Sequence, residues 1–288
     1  MSPRGLRRST ERASIEIDPD WENTPNKGRS RPLNKTLFLI GVRNELARIL
    51  RSEAGSDLAV SLRYHAKTVL LVPYTDDDGN AQEWWWGNSP KDNYSVVRFT
   101  PNGGRSPCGD ELRKKRPASL PHEVLFHELV HSFRRTSGKM RGWSLSGTAT
   151  LSGQGNVEEF IAIMVTNIFI SDVTNRYKTG LREDWSSHSP LDPALAESYH
   201  FFALGTKAFN LIASFCDDNP VFTKMLSKVR AHFNPIAAYY NHRRKAFEIA
   251  AIGDSENVFQ SMTPLDYVQN PAGPWMRIVP FAGPSRRR

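Results

Sequence analysis

His127-Glu128-Leu129-Val130-His131 lies in the middle of a segment with the pattern of a buried helix. Apolar residues recur on both sides of it at helical spacing, from Val124 to Phe133. Leu120-Pro121 suits a first turn, where the N–H that proline lacks has no intrahelical partner, and Gly138 suits a C-terminal stop. The sequence therefore predicts one core-packed helix that carries both histidines.

The spacing of these histidines is typical of a zinc site. Two histidines four residues apart share one helix face, so both imidazoles can reach one ion at about 2.0–2.1 Å. Glu128 stands beside that ion and can take a proton from a zinc-bound water, whose pKa the metal lowers toward about 7, and pass it to the departing amine. An ordinary surface helix is the alternative, but the surrounding apolar residues argue against it. We predict His127 and His131 as zinc ligands and Glu128 as the catalytic base of a peptide hydrolase.

A catalytic zinc ion usually has three protein ligands and one open position, so a third ligand is needed. Residues 132 to 137 contain no histidine, which excludes the metzincin extension of the motif. A second, strongly apolar helix is predicted to begin after Asn156, with Glu158 and Glu159 in its first turn. Either glutamate could ligate zinc. Helix capping could also explain them, because Asn156 and Glu159 have the spacing of an N-cap and its reciprocal partner.

The residues from Glu159 to Ala162 resemble the third-ligand motif of the gluzincins, zinc metallopeptidases in which a glutamate precedes two variable residues and a small one. This resemblance favours Glu159 over Glu158 and implies a zincin-like fold. The aspartate that often follows in those enzymes is replaced here by Ile163. The resemblance therefore leaves open which group would orient the histidine ligands.

A weaker similarity, to the secreted effector and Rhs-type toxin metallopeptidases of bacteria, covers roughly residues 36 to 190. It is carried by Phe38-Leu39-Ile40-Gly41, the HELVH motif, Glu158-Glu159 and Leu181-Arg182. It implies an endopeptidase delivered into another cell, with a protein or peptide substrate and a secretion apparatus or immunity protein as partners. The first residues lack the apolar core of a conventional signal peptide, so export would use another route; otherwise the protein is expected in the cytoplasm. The competing hypothesis is a zinc-bearing, catalytically silent interaction module. Glu128 argues against it, because a purely structural site has no use for a glutamate there.

Peptide hydrolysis also needs a group that stabilises the negative oxygen formed on the attacked carbonyl. Four residues beyond the second helix are candidates, namely Arg182, His188, Tyr199 and His200. Their spacing selects none of them. For Tyr199 and His200, packing beside neighbouring aromatic residues is the commoner role.

The order of the predicted elements indicates an α+β fold, in which a small antiparallel sheet packs on the zinc helix and a mostly helical part follows. Residues 67–73 form a strong strand, residues 76–80 a turn, and residues 84–86 and 95–100 further strands. An N-cap residue before proline marks the helices that follow. These pairs are Asp192-Pro193, Asn219-Pro220 and Asn234-Pro235, for helices over about 193–216, 220–232 and 235–251.

The predicted domain organisation has one catalytic unit. Residues 1–34 are polar and aperiodic, which predicts a disordered leader or linker. Residues 35–262 form the metallopeptidase domain, with the sheet and zinc helix over 35–140 and the third-ligand helix and helical part over 156–252. Residues 263–288 are rich in proline and are predicted to be an irregular tail.

The net charge of +8 does not predict nucleic-acid binding, because most of the excess is terminal. Residues 1–35 hold 8 Lys or Arg against 5 Asp or Glu, and the chain ends in Arg286-Arg287-Arg288. Residues 114–116 are basic but lack interleaved aromatic residues. No stretch approaches the about 18 apolar residues of a membrane span. Cys108 and Cys216 have no metal-binding spacing.

Overall fold

A computed structural model describes most of the centre of the chain and parts of both ends. The described residues are 15–20, 34–65, 67–74, 81–84, 94–101, 116–141, 155–176, 178–184, 188–192, 206–241, 243, 267–268 and 276–277. Several predictions concern residues outside these ranges. They are the turn at 76–80, Trp85 and Trp86, the basic residues 114 and 115, Cys108, the helix start at Pro193, and the candidates Tyr199 and His200.

Three of the described helices begin at a residue whose side chain caps the first turn. The helices are α1 (Lys35–Leu50), α2 (Glu53–Tyr64), α3 (Pro121–Thr136), α4 (Val157–Ser171), α5 (Thr206–Asp218) and α6 (Pro220–Leu226), and residues 235–241 are also helical. The side chains of Asn34, Ser52 and Asn156 accept hydrogen bonds from first-turn N–H groups of α1, α2 and α4. The predicted start of α3 at Pro121 is confirmed, as is its stop at Gly138, which has a φ of 69°.

A four-stranded sheet lies beside these helices. Its strands are β1 (Ile15–Ile17), β2 (Thr68–Pro73), β3 (Ala81–Trp84) and β4 (Tyr94–Phe99), in the spatial order β1-β2-β4-β3. β1 and β2 are parallel, and so are β2 and β4, with Val69 opposite Ser95. β3 is antiparallel to β4, with Ala81 opposite Phe99.

The prediction of an antiparallel sheet was therefore wrong. Turn-forming residues after β2 favoured a hairpin between β2 and β3, but β3 lies one position further away and β4 returns between them. β4 is buried from Ser95 to Phe99 without alternation, as is usual for a strand covered on both faces. The residues Ile15–Ile17, inside the predicted leader, form the edge strand β1. The fold is thus a mixed arrangement of helices with a mainly parallel sheet.

α3 is the central helix of the described structure. It packs against α1, α2 and α4, and against the strands β3 and β4. Ser95 of β4 donates a hydrogen bond to Ser132 of α3 over 3.0 Å, and the ring of Phe126 stacks on that of Phe169 in α4 with centroids 4.2 Å apart. Burying each such aromatic or aliphatic side chain contributes about 1.5–3 kcal/mol. The helix that carries the two histidines is therefore fixed on several sides by the core.

Beyond α4, two of the predicted helix starts are confirmed in the described residues. α6 begins at Pro220 as predicted, and the Asn234 side chain accepts a hydrogen bond from the N–H of Ala237 at the next helix start. Two short strands, Tyr267–Val268 and Met276–Arg277, pair antiparallel in the predicted irregular tail. Among the described residues, no helix combines the length and the apolar character that crossing a membrane requires.

Candidate metal centre

α3 places His127 and His131 side by side, one helical turn apart. Their rings lie 4.8 Å apart between centroids and are nearly perpendicular, at 84°. The two Nε2 atoms are 3.2 Å from each other. Both side chains are buried, whereas Glu128 between them is partly exposed. The histidines thus point to one place, and Glu128, between them in sequence, is accessible to solvent.

α4 brings Glu159 to the same place. The Asn156 side chain accepts a hydrogen bond from the N–H of Glu159, so the predicted N-cap is present. The Glu159 carboxylate does not complete a capping box; it turns toward α3. Its Oε2 lies 3.2 Å from His127 Nε2 and its Oε1 lies 3.4 Å from His131 Nε2. We call His127, His131 and Glu159 the metal triad.

The geometry of the metal triad suits a single tetrahedral ion. A zinc ion with bonds of about 2.0–2.1 Å and tetrahedral angles holds its ligand atoms about 3.3–3.4 Å apart. The two Nε2 atoms are 3.2 Å apart, and the Glu159 carboxylate is 3.2 Å from His127 through Oε2 and 3.4 Å from His131 through Oε1. With one ligand atom taken from each residue, the three atoms lie within 4.8 Å of one another. Within the described ranges, these three residues form the group of histidine, cysteine and acidic side chains that could hold a metal ion. An ion could therefore be bound with little change in side-chain position.

The protonation states of the triad favour a cation. Burial lowers the pKa of His127 to about 3, so its imidazole is neutral at neutral pH. Burial alone would raise the pKa of Glu159, but hydrogen bonds with His127 and His131 outweigh burial and hold this pKa below its ordinary value. Glu159 is thus a carboxylate between two imidazoles. Two imidazoles and one carboxylate are a donor set of catalytic zinc sites.

Glu158, the other candidate for the third ligand, faces away from the triad. Its carboxylate accepts hydrogen bonds from Nε and Nη2 of Arg134, both over 3.0 Å, and another from the N–H of Arg141. Glu158 and Arg134 are both buried. We call these three residues the arginine clamp. It ties the first turn of α4 to the last turn of α3, and this contact holds the neighbouring Glu159 against the histidines.

The sequence left open which group orients the histidines. Ile163 replaces the aspartate that often serves near this position in gluzincins, and Ile163 is buried. Nδ1 of His127 is buried and has no hydrogen-bond partner in the described part of the chain. This imidazole is therefore oriented by the contacts of its Nε2 with Glu159 and His131 and by the packing of α3 against its neighbouring helices and strands.

Of the four candidates for stabilising the carbonyl oxygen, the structure describes Arg182 and His188. Burial lowers the pKa of Arg182, while the carboxylates of Glu159 and then Glu128 oppose that effect, so the guanidinium lies close enough to interact with both. His188 interacts electrostatically with Arg182 and is bonded to the backbone carbonyl of Pro117. Arg182 thus interacts electrostatically with the Glu159 and Glu128 carboxylates and with His188.

Sequence reasoning missed the residues that hold Arg182 in place. Asn167 of α4 bonds both the N–H and the carbonyl of Arg182. Glu123 of α3 accepts hydrogen bonds from the N–H and the hydroxyl of Thr179, just before Arg182. Asn167 and Glu123 are buried polar side chains within apolar helices. A polar residue among apolar neighbours was therefore the sequence signal that could have identified Asn167 and Glu123.

The chain matches no protein-family model, no curated protein and no solved structure. The assignment of chemistry to this site therefore depends on its own residues. Cys216, a buried residue of α5, takes no part in the site, and burial raises the pKa of its thiol to about 12.

Proposed function

We propose that this protein is a zinc-dependent endopeptidase. The observation that carries the proposal is the metal triad: a glutamate from α4 meets the two histidines of α3 at the spacing of zinc ligands. Glu128 lies between the histidines in sequence and is partly exposed, so a substrate can reach its carboxylate.

Each residue has a distinct role in this proposal. His127, His131 and Glu159 hold the ion and leave one coordination position open. Bound zinc supplies Lewis-acid chemistry, which polarises a carbonyl group and makes water a competent nucleophile near neutral pH. Glu128 accepts a proton from the attacking water as its oxygen bonds to the carbonyl carbon. The same carboxyl group then donates this proton to the amine that leaves when the C–N bond breaks.

Metal analysis combined with a cleavage assay tests the proposal. The wild-type protein, Glu128→Gln and Glu159→Ala are freed of metal, incubated with zinc, and assayed for bound zinc. Cleavage is followed by mass spectrometry on a peptide library of mixed sequence, which needs no known substrate. We expect one zinc per chain in wild type and in Glu128→Gln, and a cleavage rate about 10²- to 10⁴-fold lower in Glu128→Gln. Glu159→Ala is expected to lose zinc.

Glu53→Gln is the matched control, because it removes a carboxylate from α2, away from the triad, and should leave zinc content and cleavage unchanged. Wild-type protein that binds no zinc would contradict the proposal. Zinc at one per chain without cleavage of any peptide would instead support the silent interaction module. Equal cleavage rates for Glu128→Gln and wild type would remove Glu128 as the base.

A further inference from the structure

We propose that Arg141 is a positioning residue for the metal triad and that it couples the triad to α5. Its backbone N–H bonds to the first turn of α4 and its guanidinium bonds to α5, so the zinc affinity of the triad depends on how α5 is docked. This inference rests on the proposed function and names a further residue that acts on the same site.

The turn after α3 brings the backbone of Arg141 next to Glu158. Gly138 has a φ of 69°, the left-handed conformation that glycine often adopts at a helix end. The N–H of Lys139 donates to the carbonyl of Arg134 over 3.0 Å, and the carbonyl of Lys139 accepts from Nη2 of the same arginine over 2.5 Å. These two bonds fix the turn to Arg134. The backbone of Arg141, two residues further on, is thereby held at the carboxylate of Glu158.

The N–H of Arg141 supplies one of the hydrogen bonds that hold Glu158. Arg134 donates through Nε and Nη2, each over 3.0 Å, and Arg141 donates from its backbone over 2.5 Å. The residue after Glu158 is Glu159 of the metal triad. Ligand groups need to be held within about 0.5 Å of their productive positions. The bonds of Glu158 therefore help to set where the carboxylate of Glu159 lies.

The side chain of Arg141 binds α5. Its Nη1 donates to the hydroxyl of Ser214 over 3.0 Å, and its Nη2 lies 2.8 Å from one carboxylate oxygen of Asp218 and 3.1 Å from the other. Ser214 and Asp218 are four residues apart and lie on one face of α5. A guanidinium that is bonded at both Nη atoms is fixed in orientation as well as in position.

α5 also contacts the arginine clamp at a second point. The ring centroid of Phe215 lies 5.5 Å from the guanidinium carbon of Arg134, within the about 6 Å over which an aromatic ring attracts a cation. Phe215 is buried and follows Ser214 in the chain. α5 therefore contacts both arginines that bind Glu158. A displacement of this helix would remove partners from Arg134 and Arg141 together.

The coupling should be moderate in size and should act in both directions. The side chains of Arg141 and Asp218 are 35% and 16% exposed, so solvent partly screens their charges. If docking of α5 strengthens zinc binding by some factor, zinc must strengthen the docking of α5 by the same factor. Zinc affinity and the opening of α5 therefore report the same coupling.

Zinc affinity tests the role of Arg141. Competition with a chromophoric chelator is measured under conditions in which every variant is folded. We expect Arg141→Gln to weaken zinc binding by about 5- to 10-fold. Asp218→Asn should weaken it less, because Ser214 still binds the guanidinium, and Arg141→Lys should retain more affinity than Arg141→Gln. The two changes together should weaken binding no more than Arg141→Gln does alone, because both remove the same contact.

Asp217→Asn is the matched control. Asp217 lies beside Asp218 at the end of α5, where the helix dipole disfavours a negative charge at either position. Its carboxylate pairs with Arg243, not with Arg141. The substitution removes the same charge from the same helix end and should leave zinc affinity within about two-fold of wild type. A loss of affinity equal to that of Asp218→Asn would show that charge alone, without the contact to Arg141, sets the affinity.

Amide hydrogen exchange with and without zinc tests the reverse direction. In wild type, zinc should slow the exchange of amides in α3, α4 and α5. In Arg141→Gln the slowing should persist in α3 and α4 and should fall by about 5-fold or more in α5. An arginine needed for stability alone would lower the free energy of unfolding and leave both the zinc affinity and the response of α5 unchanged.

The outcomes distinguish the two proposals. Wild-type protein that binds no zinc would overturn the proposed function. Zinc bound by Arg141→Gln as tightly as by wild type would overturn the role of Arg141 and leave the zinc proposal standing. If Arg141→Gln does not fold, Asp218→Asn compared with Asp217→Asn decides the question. Equal zinc affinities and equal exchange of α5 in those two variants would again overturn the inference.

Discussion

The arginine clamp and the metal triad share the first turn of α4, and each holds one of two adjacent glutamates. Glu158 meets an arginine guanidinium and a backbone N–H, so its negative charge is balanced by partners within the chain. Glu159 meets two imidazole nitrogens, of which that of His127 is neutral at neutral pH. In the clamp, the charge of Glu158 is paired directly with the guanidinium of Arg134. In the triad, the hydrogen-bond partners of the Glu159 carboxylate are two imidazoles, and its three residues offer metal-ligating atoms.

A structural carboxylate and a candidate metal ligand can be distinguished by their partners in this helix turn. Both residues are glutamates in a helix first turn, where the helix dipole favours an acid at either position. A turn of about 100° per residue sends one side chain to the end of α3 and the other to its histidines. What distinguishes them is the kind of partner each one meets. The clamp should therefore govern stability without metal, and the triad should govern metal affinity.

The largest expected effect is on the clamp. Glu158→Gln leaves Arg134 buried with its charge unbalanced, and we expect a loss of about 3–5 kcal/mol in the free energy of unfolding of the metal-free protein. Glu159→Gln leaves the buried Arg182 with Glu128 and Asp184 as further charge partners, so its cost should be smaller, below about 1 kcal/mol. Urea unfolding of both variants without metal measures the contrast.

A double substitution serves as the control for the clamp. Replacing Arg134 by Met together with Glu158 by Leu removes both charges at once, and it should restore much of the stability that Glu158→Gln loses. Equal destabilisation by Glu158→Gln and Glu159→Gln would show that the two glutamates do not differ in the way the structure indicates.

The second prediction is that zinc affinity depends more on Glu159 than on Glu158, whereas stability without metal depends more on Glu158. Glu159→Gln should weaken zinc binding by more than the about 10- to 100-fold that loss of an outer-shell partner costs, because it removes a ligand. Glu158→Gln acts on the triad only by loosening the first turn of α4, so its effect should stay within that range. Competition with a chromophoric chelator measures both affinities. Indistinguishable zinc affinities in the two variants would exclude Glu159 as a ligand.

The candidate site was largely predictable from sequence because its chemistry is local. The spacing of His127 and His131 places both on one helix face whatever surrounds the helix, and Asn156 marks the start of α4 by its own capping bond. The choice between Glu158 and Glu159 was not available from local pattern alone. It depends on Arg134, which lies 24 residues earlier in the chain and meets Glu158 through the packing of α3 on α4.

The sheet was less predictable, because strand partners are set by tertiary packing. The pattern identified β2 and β4 as strands, but apolar residues do not reveal which strand is the neighbour or in which direction it runs. The strand Ile15–Ile17 is too short to stand out from its polar surroundings, and it is defined by pairing with Val69 to Leu71. The sequence also could not select Arg182 among its four candidates, because the backbone position of Arg182 is set by hydrogen bonds with Asn167. Sequence spacing does not predict these bonds.

The third prediction compares how much zinc stabilises a variant of the clamp and a variant of the triad. A ligand that binds the folded state alone, present at 100 times its dissociation constant, stabilises that state by about 2.7 kcal/mol. We expect this gain in wild type, and also in Glu158→Gln when zinc is present at about 100 times that variant's own dissociation constant. His131→Ala should show little gain at the same zinc concentration. Thermal unfolding with and without zinc gives the comparison, and a full gain in His131→Ala would place the zinc elsewhere.

The smallest expected effect concerns Asp57 of α2, a carboxylate whose charged neighbours are Glu53, Asp172 and Lys228. Burial, and then the neighbouring acids Glu53 and Asp172, raise the pKa of Asp57 to about 6, above its ordinary value of about 3.9. The folded state thus binds this proton more tightly than the unfolded state, and the charged form costs stability as the pH rises from about 4 through 6. Asp57→Asn removes that cost. Its unfolding free energy should match wild type near pH 4 and exceed it above pH 6, by less than about 1 kcal/mol because the side chain is partly exposed. A difference from wild type that does not change with pH would mean that the charge of Asp57 does not lower the stability of the folded state.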